Sequence, residues 1–198
     1  GLRDLRDLQA RFGAYDSSLR TGIRIVGLSG ASDDRRAMAA DWRALASANK
    51  RAGDLAAAVD AIKHAILILK TTDDTEGINR TMLDLLDLLL ESGRYDEFKR
   101  QGDEALSALQ AEHDTAGQAK VLWRQGDGLL RQGQAADALS LLHSALRKLG
   151  ANGGAGDEAG ILFALAKADA DVADWPAAEA HFRQALNDDP AALSNEPS

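Results

Sequence analysis

The sequence predicts an all-α protein, a solenoid of about five helix-turn-helix repeats. Three observations predict this fold class. Only 3 of the 198 residues are proline and alanine is abundant, a composition that favours helix along most of the chain. A turn signal recurs every 40 residues, at Gly13, Gly53, Gly93, Gly133 and Ala173. Columns of small and aliphatic residues follow each turn residue at fixed distances, and self-similarity of this kind is typical of stacked repeats.

The columns have the chemistry of positions where two helices meet. Five residues after each turn residue stand Ser18, Ala58, Phe98, Ala138 and Ala178. Twelve residues after it stand Ile25, Ala65, Ala105, Ala145 and Ala185, each followed by an aliphatic residue, Val26, Ile66, Leu106, Leu146 or Leu186. Small side chains beside a large one allow two helices to approach closely along one face.

The repeats are predicted, in order, at 1–28, 33–70, 74–110, 114–149 and 157–190, with a tail at 191–198. In each repeat a helix A ends at the turn residue and a helix B follows at once. Before Gly93, for example, apolar residues recur at helical spacing from Met82 to Leu90. Because residue 1 falls within the first helix by this register, the chain is expected to be part of a longer protein.

Polar connectors are predicted at 29–34, 71–75, 112–115 and 150–156. Two of them end in spacings that predict helix caps, Asp73 with Glu76 and Thr115 with Gln118. The last connector is rich in glycine, which predicts the loosest joint of the chain and first proteolytic cleavage near Asn152.

Composition excludes several classes of protein. The net charge is −8 at pH 7 and no basic run exceeds two residues, which argues against binding to nucleic acid or to a membrane surface. The chain has no cysteine, and its longest aliphatic run, 65–69, is far too short to span a bilayer. We therefore expect a cytoplasmic protein.

No chemistry-bearing motif appears in the sequence. The four histidines have no carboxylates at ligand spacing, so no metal is expected and the histidines are interpreted as solvated. The glycine-rich stretch 150–156 lacks the Lys-Ser/Thr of a phosphate-binding loop, and the acidic stretch 73–76 lacks the ligand pattern of a calcium loop. No catalytic residues or cofactor are predicted, and we do not expect an enzyme.

The repeat unit resembles the tetratricopeptide repeat (TPR). The last repeat matches that family best, through Ala178, Phe182, Ala185 and Pro190. Repeats one and three depart from the pattern, with Ser18 and Gly22 in one and Phe98 and Gly102 in the other. The period is six residues longer than the usual one and is similar to that of kinesin light chains and bacterial peptide-sensing regulators. The period alone would also allow HEAT-type repeats, but the alanine columns and the glycine turn favour TPR geometry.

The resemblance implies a right-handed superhelix whose inner wall is formed by the A helices, and it assigns groove-facing positions on each of them. Read onto this chain, the candidate peptide-binding residues are Arg43, Ser47, Lys50, Arg80, Asp84, Asp87, Lys120, Trp123, Arg124, Asp127, Phe163 and Lys167. Six are basic and three acidic, so the groove is predicted to be net positive. The TPR clamp for chaperone tails needs asparagines where this chain has Ser47 and Asp84, which argues against that function.

The predicted function is a non-catalytic protein–protein interaction scaffold that binds a peptide or protein segment, acidic or carboxylate-bearing, in the groove. Trp123 and Phe163 are expected to act as apolar anchors. The alternatives are ordinary solvated charges on an exposed face, and a peptide- or ligand-sensing regulatory module of a larger, bacterial signalling protein. Weak self-association is expected through the C-terminal repeat, where Phe182 and Leu186 should be partly exposed.

Overall fold

The computed structural model describes residues 1–30, 33–150 and 154–188. Within these residues the chain forms ten α-helices and no strand. They are α1 (Leu2–Arg11), α2 (Tyr15–Ser29), α3 (Arg35–Arg51), α4 (Leu55–Leu69), α5 (Thr75–Glu91), α6 (Tyr95–Ala111), α7 (Thr115–Arg131), α8 (Ala135–Leu149), α9 (Ala155–Asp171) and α10 (Trp175–Asp188). Odd-numbered helices are the A helices and even-numbered helices the B helices. Asn152, Pro190 and the tail 191–198 lie outside the described residues.

The chain divides into two compact units, an N-terminal unit (Gly1–Arg94) and a C-terminal unit (Tyr95–Ser198). The N-terminal unit contains α1 to α5 and the C-terminal unit α6 to α10. Within each unit every helix packs against the next helix in the chain, and α7 also contacts α9.

The turn residues have the backbone conformation that the 40-residue spacing predicts. The φ angle is 73° at Gly13, 82° at Gly53, 70° at Gly93, 74° at Gly133 and 63° at Ala173. Left-handed backbone of this kind ends a helix and lets the next one turn back. Glycine adopts it without steric cost, whereas Ala173 shows that the surrounding geometry imposes the turn even on a residue with a Cβ.

Helix starts are capped by aspartates, also at repeated positions. Asp34, Asp54, Asp74, Asp114 and Asp174 each accept a hydrogen bond from the backbone amide three residues later. The predicted caps at Asp73 and Thr115 are therefore wrong by one residue. The residue directly before the first helical residue is the one whose side-chain oxygen reaches that amide, and this residue is Asp74 for α5 and Asp114 for α7.

The predicted columns are the cores of the two units. All five residues at the position five after the turn are buried, as are all five at the position twelve after it. In the C-terminal unit, Leu142, Leu162 and Leu165 of one core cluster are fully buried. The repeated small residues thus let neighbouring helices approach, and the leucines fill the space between them.

Two B helices, α2 and α6, contact the following A helix through equivalent repeat positions. A Cβ added at Gly22 of α2 would lie 3.2 Å from Leu45 Cδ1 of α3, and one added at Gly102 of α6 would lie 3.0 Å from Gln125 Nε2 of α7. Gly22 and Gly102 stand nine residues after a turn residue, and Leu45 and Gln125 stand eight before the next. At these two departures from the TPR pattern, Gly22 and Gly102, the side chain of the following A helix lies where the missing side chain would be.

Candidate functional site

In the N-terminal unit, five of the candidate residues line one pocket of about 330 Å³ between α3 and α5. They are Arg43, Ser47, Lys50, Asp84 and Asp87. Ala46, Ile62 and Leu88 complete its lining. The pocket forms because α3 and α5 are successive A helices that present equivalent faces on the same side of the unit. It offers donors, acceptors and a small apolar floor within one site.

The charges around this pocket are paired with one another. Arg43 donates to Asp84 Oδ2 from Nε at 3.0 Å and from Nη2 at 2.6 Å. Lys50 forms an ion pair with Glu91 at 2.5 Å. All four side chains are only partly buried. Water screens such pairs, so each contributes little to stability and a competing charge can replace one partner at small cost.

A pair whose carboxylate is buried lies at the start of the unit. Arg3 of α1 donates to Asp41 of α3 from two of its three guanidinium nitrogens, from Nε to Oδ1 at 2.8 Å and from Nη2 to Oδ2 at 2.7 Å, and Asp41 is buried. Hydrogen bonding to Asp41, together with its negative charge, raises the pKa of the Arg3 guanidinium. Both residues lie outside the candidate set. The N-terminal unit therefore links successive A helices by charge.

In the C-terminal unit the candidate residues form aromatic and cationic pairs. The guanidinium of Arg124 lies 4.6 Å from the centre of the Trp123 ring on α7. On α9, the ammonium of Lys167 lies 5.8 Å from the centre of the Phe163 ring, and Phe163 meets Phe182 of α10 edge to face at 5.1 Å. Positive charge over an aromatic face is favourable and leaves the cation on the surface.

Trp123 packs within the C-terminal unit, so its ring is less available to a partner than the predicted anchor role requires. Its ring lies against the backbone of Gly160, where an added Cβ would come within 2.2 Å of Cη2, and the side chain packs on the C-terminal core cluster. Trp123 therefore joins α7 to α9. Lys120 makes a further link between these helices, because its ammonium lies 3.0 Å from Asp157.

Acidic side chains outside the candidate set make the groove less positive than that set predicts. Glu91 and Asp157 were not among the assigned positions, yet they neutralise Lys50 and Lys120. Arg80 and Lys167 are exposed, while Asp87 and Asp127 make contacts of their own. The groove-facing positions of the TPR family identify residues on the A-helix faces. They do not include Glu91 and Asp157, whose carboxylates reach the lysines on these faces.

A second pocket, which sequence reasoning missed, lies in the C-terminal unit between α6, α7 and α8. It has a volume of about 460 Å³ and apolar walls that include Phe98, Leu122 and Leu141. Lys99, Asp103 and Gln125 line it too, and the Lys99 ammonium and the Gln125 amide both donate to the Asp103 carboxylate.

The interpretation of all four histidines as solvated is wrong for His181. Its Nδ1 lies 2.7 Å from Oδ2 of buried Asp169, and its ring meets that of His143 edge to face at 5.9 Å. His64 stacks on Trp42 with ring centres 4.5 Å apart. Twelve residues separate Asp169 from His181, and only the antiparallel arrangement of α9 and α10 brings them together. Among the described residues, no three histidine or acidic side chains could hold a metal ion.

The helices of the described segments are also too short or too polar to cross a membrane.

Neither a family model nor a curated protein matches the sequence. Solved structures do match it. BtubC (BKLC) from P. vanneervenii superposes with a TM-score of 0.76 at 16% identity, over 100% of this chain and 82% of that one. The nearly identical TPR-like repeats of a Podosopora anserina protein assigned as a kinesin light chain give 0.69 at 15% identity, over 98% and 97%. The apo form of RapI gives 0.77 at 14% identity, over 96% of this chain and 52% of RapI.

At these identities the likeness is one of fold. It confirms the predicted all-α, TPR-type solenoid: the chain has the fold of TPR-like repeat proteins.

Proposed function

We propose that this TPR-type repeat protein is a non-catalytic interaction scaffold that binds a peptide segment of a partner on its A-helix faces. The observation that carries the proposal is the pocket between α3 and α5, because five residues that the TPR resemblance assigns to peptide contact line this one site. Extended concave surfaces on stacked helix pairs are the usual binding surfaces of solenoid proteins.

The chemistry of the pocket suits a peptide that carries a carboxylate. Arg43 presents two donors to Asp84 Oδ2, and a carboxylate of the partner can take the place of Asp84 with the same geometry. The exchange costs little because the existing pair is partly exposed. Ser47 and Asp87 supply a hydroxyl and a carboxylate for the peptide backbone amides. The partner segment is thus acidic at one position and polar at its neighbours.

The C-terminal unit supports a second, more apolar contact. Lys167 is exposed beside the half-buried Phe163, so an acidic residue next to an apolar one would find both of its partners there. This arrangement is consistent with the predicted role of Phe163 as an anchor. Trp123 contributes chiefly by holding α7 against α9.

The test selects peptides from a random displayed library for binding to the 198-residue protein. Calorimetry then measures their affinities. Replacing Arg43 and Lys50 together with alanine should weaken binding of the selected peptides at least about tenfold. The matched control replaces Arg100 and Arg183, two exposed arginines of B-helix ion pairs, and should leave affinity unchanged. Equal affinity for the Arg43/Lys50 variant and the wild type would refute the proposal, as would failure to select any peptide.

A double-mutant cycle then identifies the contact. Removing the acidic residue of a selected peptide should matter in the wild type and much less in Arg43→Ala, because residues that contact each other are energetically coupled. Additive effects would show that the acid binds elsewhere.

A further inference from the structure

The two ion pairs at the pocket between α3 and α5 have the same register. Arg43 pairs with Asp84 and Lys50 pairs with Glu91, and in both pairs the partners are 41 residues apart in the sequence. Arg43 and Lys50 therefore stand seven residues apart on α3, as Asp84 and Glu91 do on α5. The two helices run in the same direction, and the pairs form two parallel links between them.

This register sets the distance between the two pairs. Seven residues of an α-helix rise about 10.5 Å and complete almost two turns, so the first and the last residue point to the same side. The spacing holds for the cations on α3 and, independently, for the carboxylates on α5. A ligand that replaces both carboxylates must therefore present two acidic groups about 10 Å apart on one side of its chain.

Both pairs can exchange their acidic partner. The side chains of Arg43 and Asp84 are 27% and 40% exposed, and those of Lys50 and Glu91 are 46% and 41% exposed. A released Asp84 or Glu91 side chain stays in contact with water, so its displacement leaves no desolvated charge. Arg43 and Lys50 line the same pocket, so one ligand can reach both cations.

The spacing and the size of the pocket together select a backbone conformation for the ligand. In a β-strand, side chains on one side are two or four residues apart, which gives about 6.6 or 13 Å. An α-helix meets the spacing with residues seven apart, but this length of a helix about 10 Å wide takes about 800 Å³. That is more than twice the pocket volume of about 330 Å³. In polyproline II, residues three apart share a side and stand about 9.3 Å apart.

We propose that the pocket between α3 and α5 binds a segment in the polyproline II conformation that carries two acidic residues three positions apart, one on Arg43 and the other on Lys50. The inference rests on the proposed peptide binding and adds the second acidic residue, its spacing and the backbone conformation. Polyproline II has no internal backbone hydrogen bonds, so its amides are free for polar groups of the pocket such as the Ser47 hydroxyl.

Synthetic peptides that differ only in the spacing of two glutamates test the inference. Each has a glycine–serine host, blocked ends and an uncharged dye, and its glutamates stand two, three, four, five or seven residues apart. Fluorescence anisotropy with the 198-residue protein at low ionic strength, where charges are screened least, measures the affinities. The peptide with a spacing of three should bind at least about threefold more tightly than any other.

Loss of either cation should remove this preference. In Arg43→Ala and in Lys50→Ala only one glutamate of each peptide has a partner, so all spacings should bind with the same, weaker affinity. Arg100→Ala is the matched control, because Arg100 forms an exposed ion pair on α6 and does not line the pocket. It should keep the preference for a spacing of three. Circular dichroism checks that all three variants are folded.

Proline between the two glutamates tests the backbone conformation. Proline fits polyproline II and disfavours helical backbone at the residue before it. Placed directly after the first glutamate of the peptide with a spacing of three, it should leave the affinity unchanged or raise it. A loss of more than about threefold would contradict binding in this conformation.

The outcomes separate this inference from the proposed function. Tightest binding at any other spacing would refute the inference, and a spacing of seven would identify a helical ligand. Equal binding at all spacings that is lost in Arg43→Ala would also refute it, but the proposed function would stand because one acidic residue still binds there. If no peptide of the series binds, the inference is refuted, and the library selection decides the proposed function separately.

Discussion

The A-helix faces of the two units use the same repeat positions for different chemistry. Ten residues before the turn, α1 and α3 of the N-terminal unit have Arg3 and Arg43, and each pairs with an aspartate of the next A helix. At that position the C-terminal unit has Trp123 and Phe163, with Arg124 and Lys167 over their rings. The comparison shows that a repeat position determines where a side chain lies, while the residue placed there determines whether neighbouring helices are joined by charge or by an aromatic contact.

The largest expected effect is on the aromatic side of this comparison. Trp123→Ala should lower the free energy of unfolding by about 2–3 kcal/mol, less than the value for a fully buried tryptophan, because the ring is partly exposed. Urea denaturation measures it. Trp175→Ala is the control, since Trp175 is 65% exposed and should change stability by less than about 0.5 kcal/mol. Equal effects of the two substitutions would mean that Trp123 is a free surface residue.

A smaller effect is expected at the glycine that faces this ring. Gly160→Ala places a Cβ too close to Trp123 and should destabilise the protein by about 1–2 kcal/mol, the usual cost of overpacking. Gly27→Ala is the same substitution in α2, where nothing lies within 4 Å, and it should stabilise the helix by up to about 1 kcal/mol. Thermal melts of both variants measure the difference in sign. A stabilised Gly160→Ala would show that the ring moves aside without cost.

The smallest changes in the free energy of unfolding are expected for the arginine–aspartate pairs. Their size depends on how deeply the aspartate is buried. Arg3→Ala leaves the buried Asp41 carboxylate without its arginine and should cost about 1 kcal/mol or more. Arg43→Ala leaves a partly exposed Asp84 that water can solvate, so it should cost less than about 0.5 kcal/mol. Urea denaturation of the two variants side by side gives the ranking. A larger loss for Arg43→Ala would contradict it.

Much of the fold could be predicted because it follows from periodic or local properties. The left-handed turn residues and the buried columns five and twelve after them recur every 40 residues, and packing requires the same residue size in every repeat. The predicted caps were wrong by one residue, because two acidic residues are adjacent at one site and an acidic residue and a threonine at the other. Only the backbone conformation determines which of the two precedes the first helical residue.

The candidate site was predicted less completely. The TPR resemblance assigned Arg43, Ser47, Lys50, Asp84 and Asp87 to the groove, and the structure brings all five to one pocket. It did not predict that Glu91 and Asp157 neutralise two of the lysines, or that Trp123 packs on Gly160. These contacts join different helices, and the residues involved do not recur at one repeat position.

The sequence by itself determined the repeat, the position of each turn and the residues of each buried column. These depend on backbone conformation and on side-chain size, which are legible along one chain. Only the tertiary structure decided which charges pair and where pockets open. The arginine–aspartate pairs show the physical reason: the partners are 38 residues apart in one pair and 41 in the other, so no fixed spacing predicts them. Such contacts depend on the angle and separation of neighbouring helices, which all the side chains between them set together.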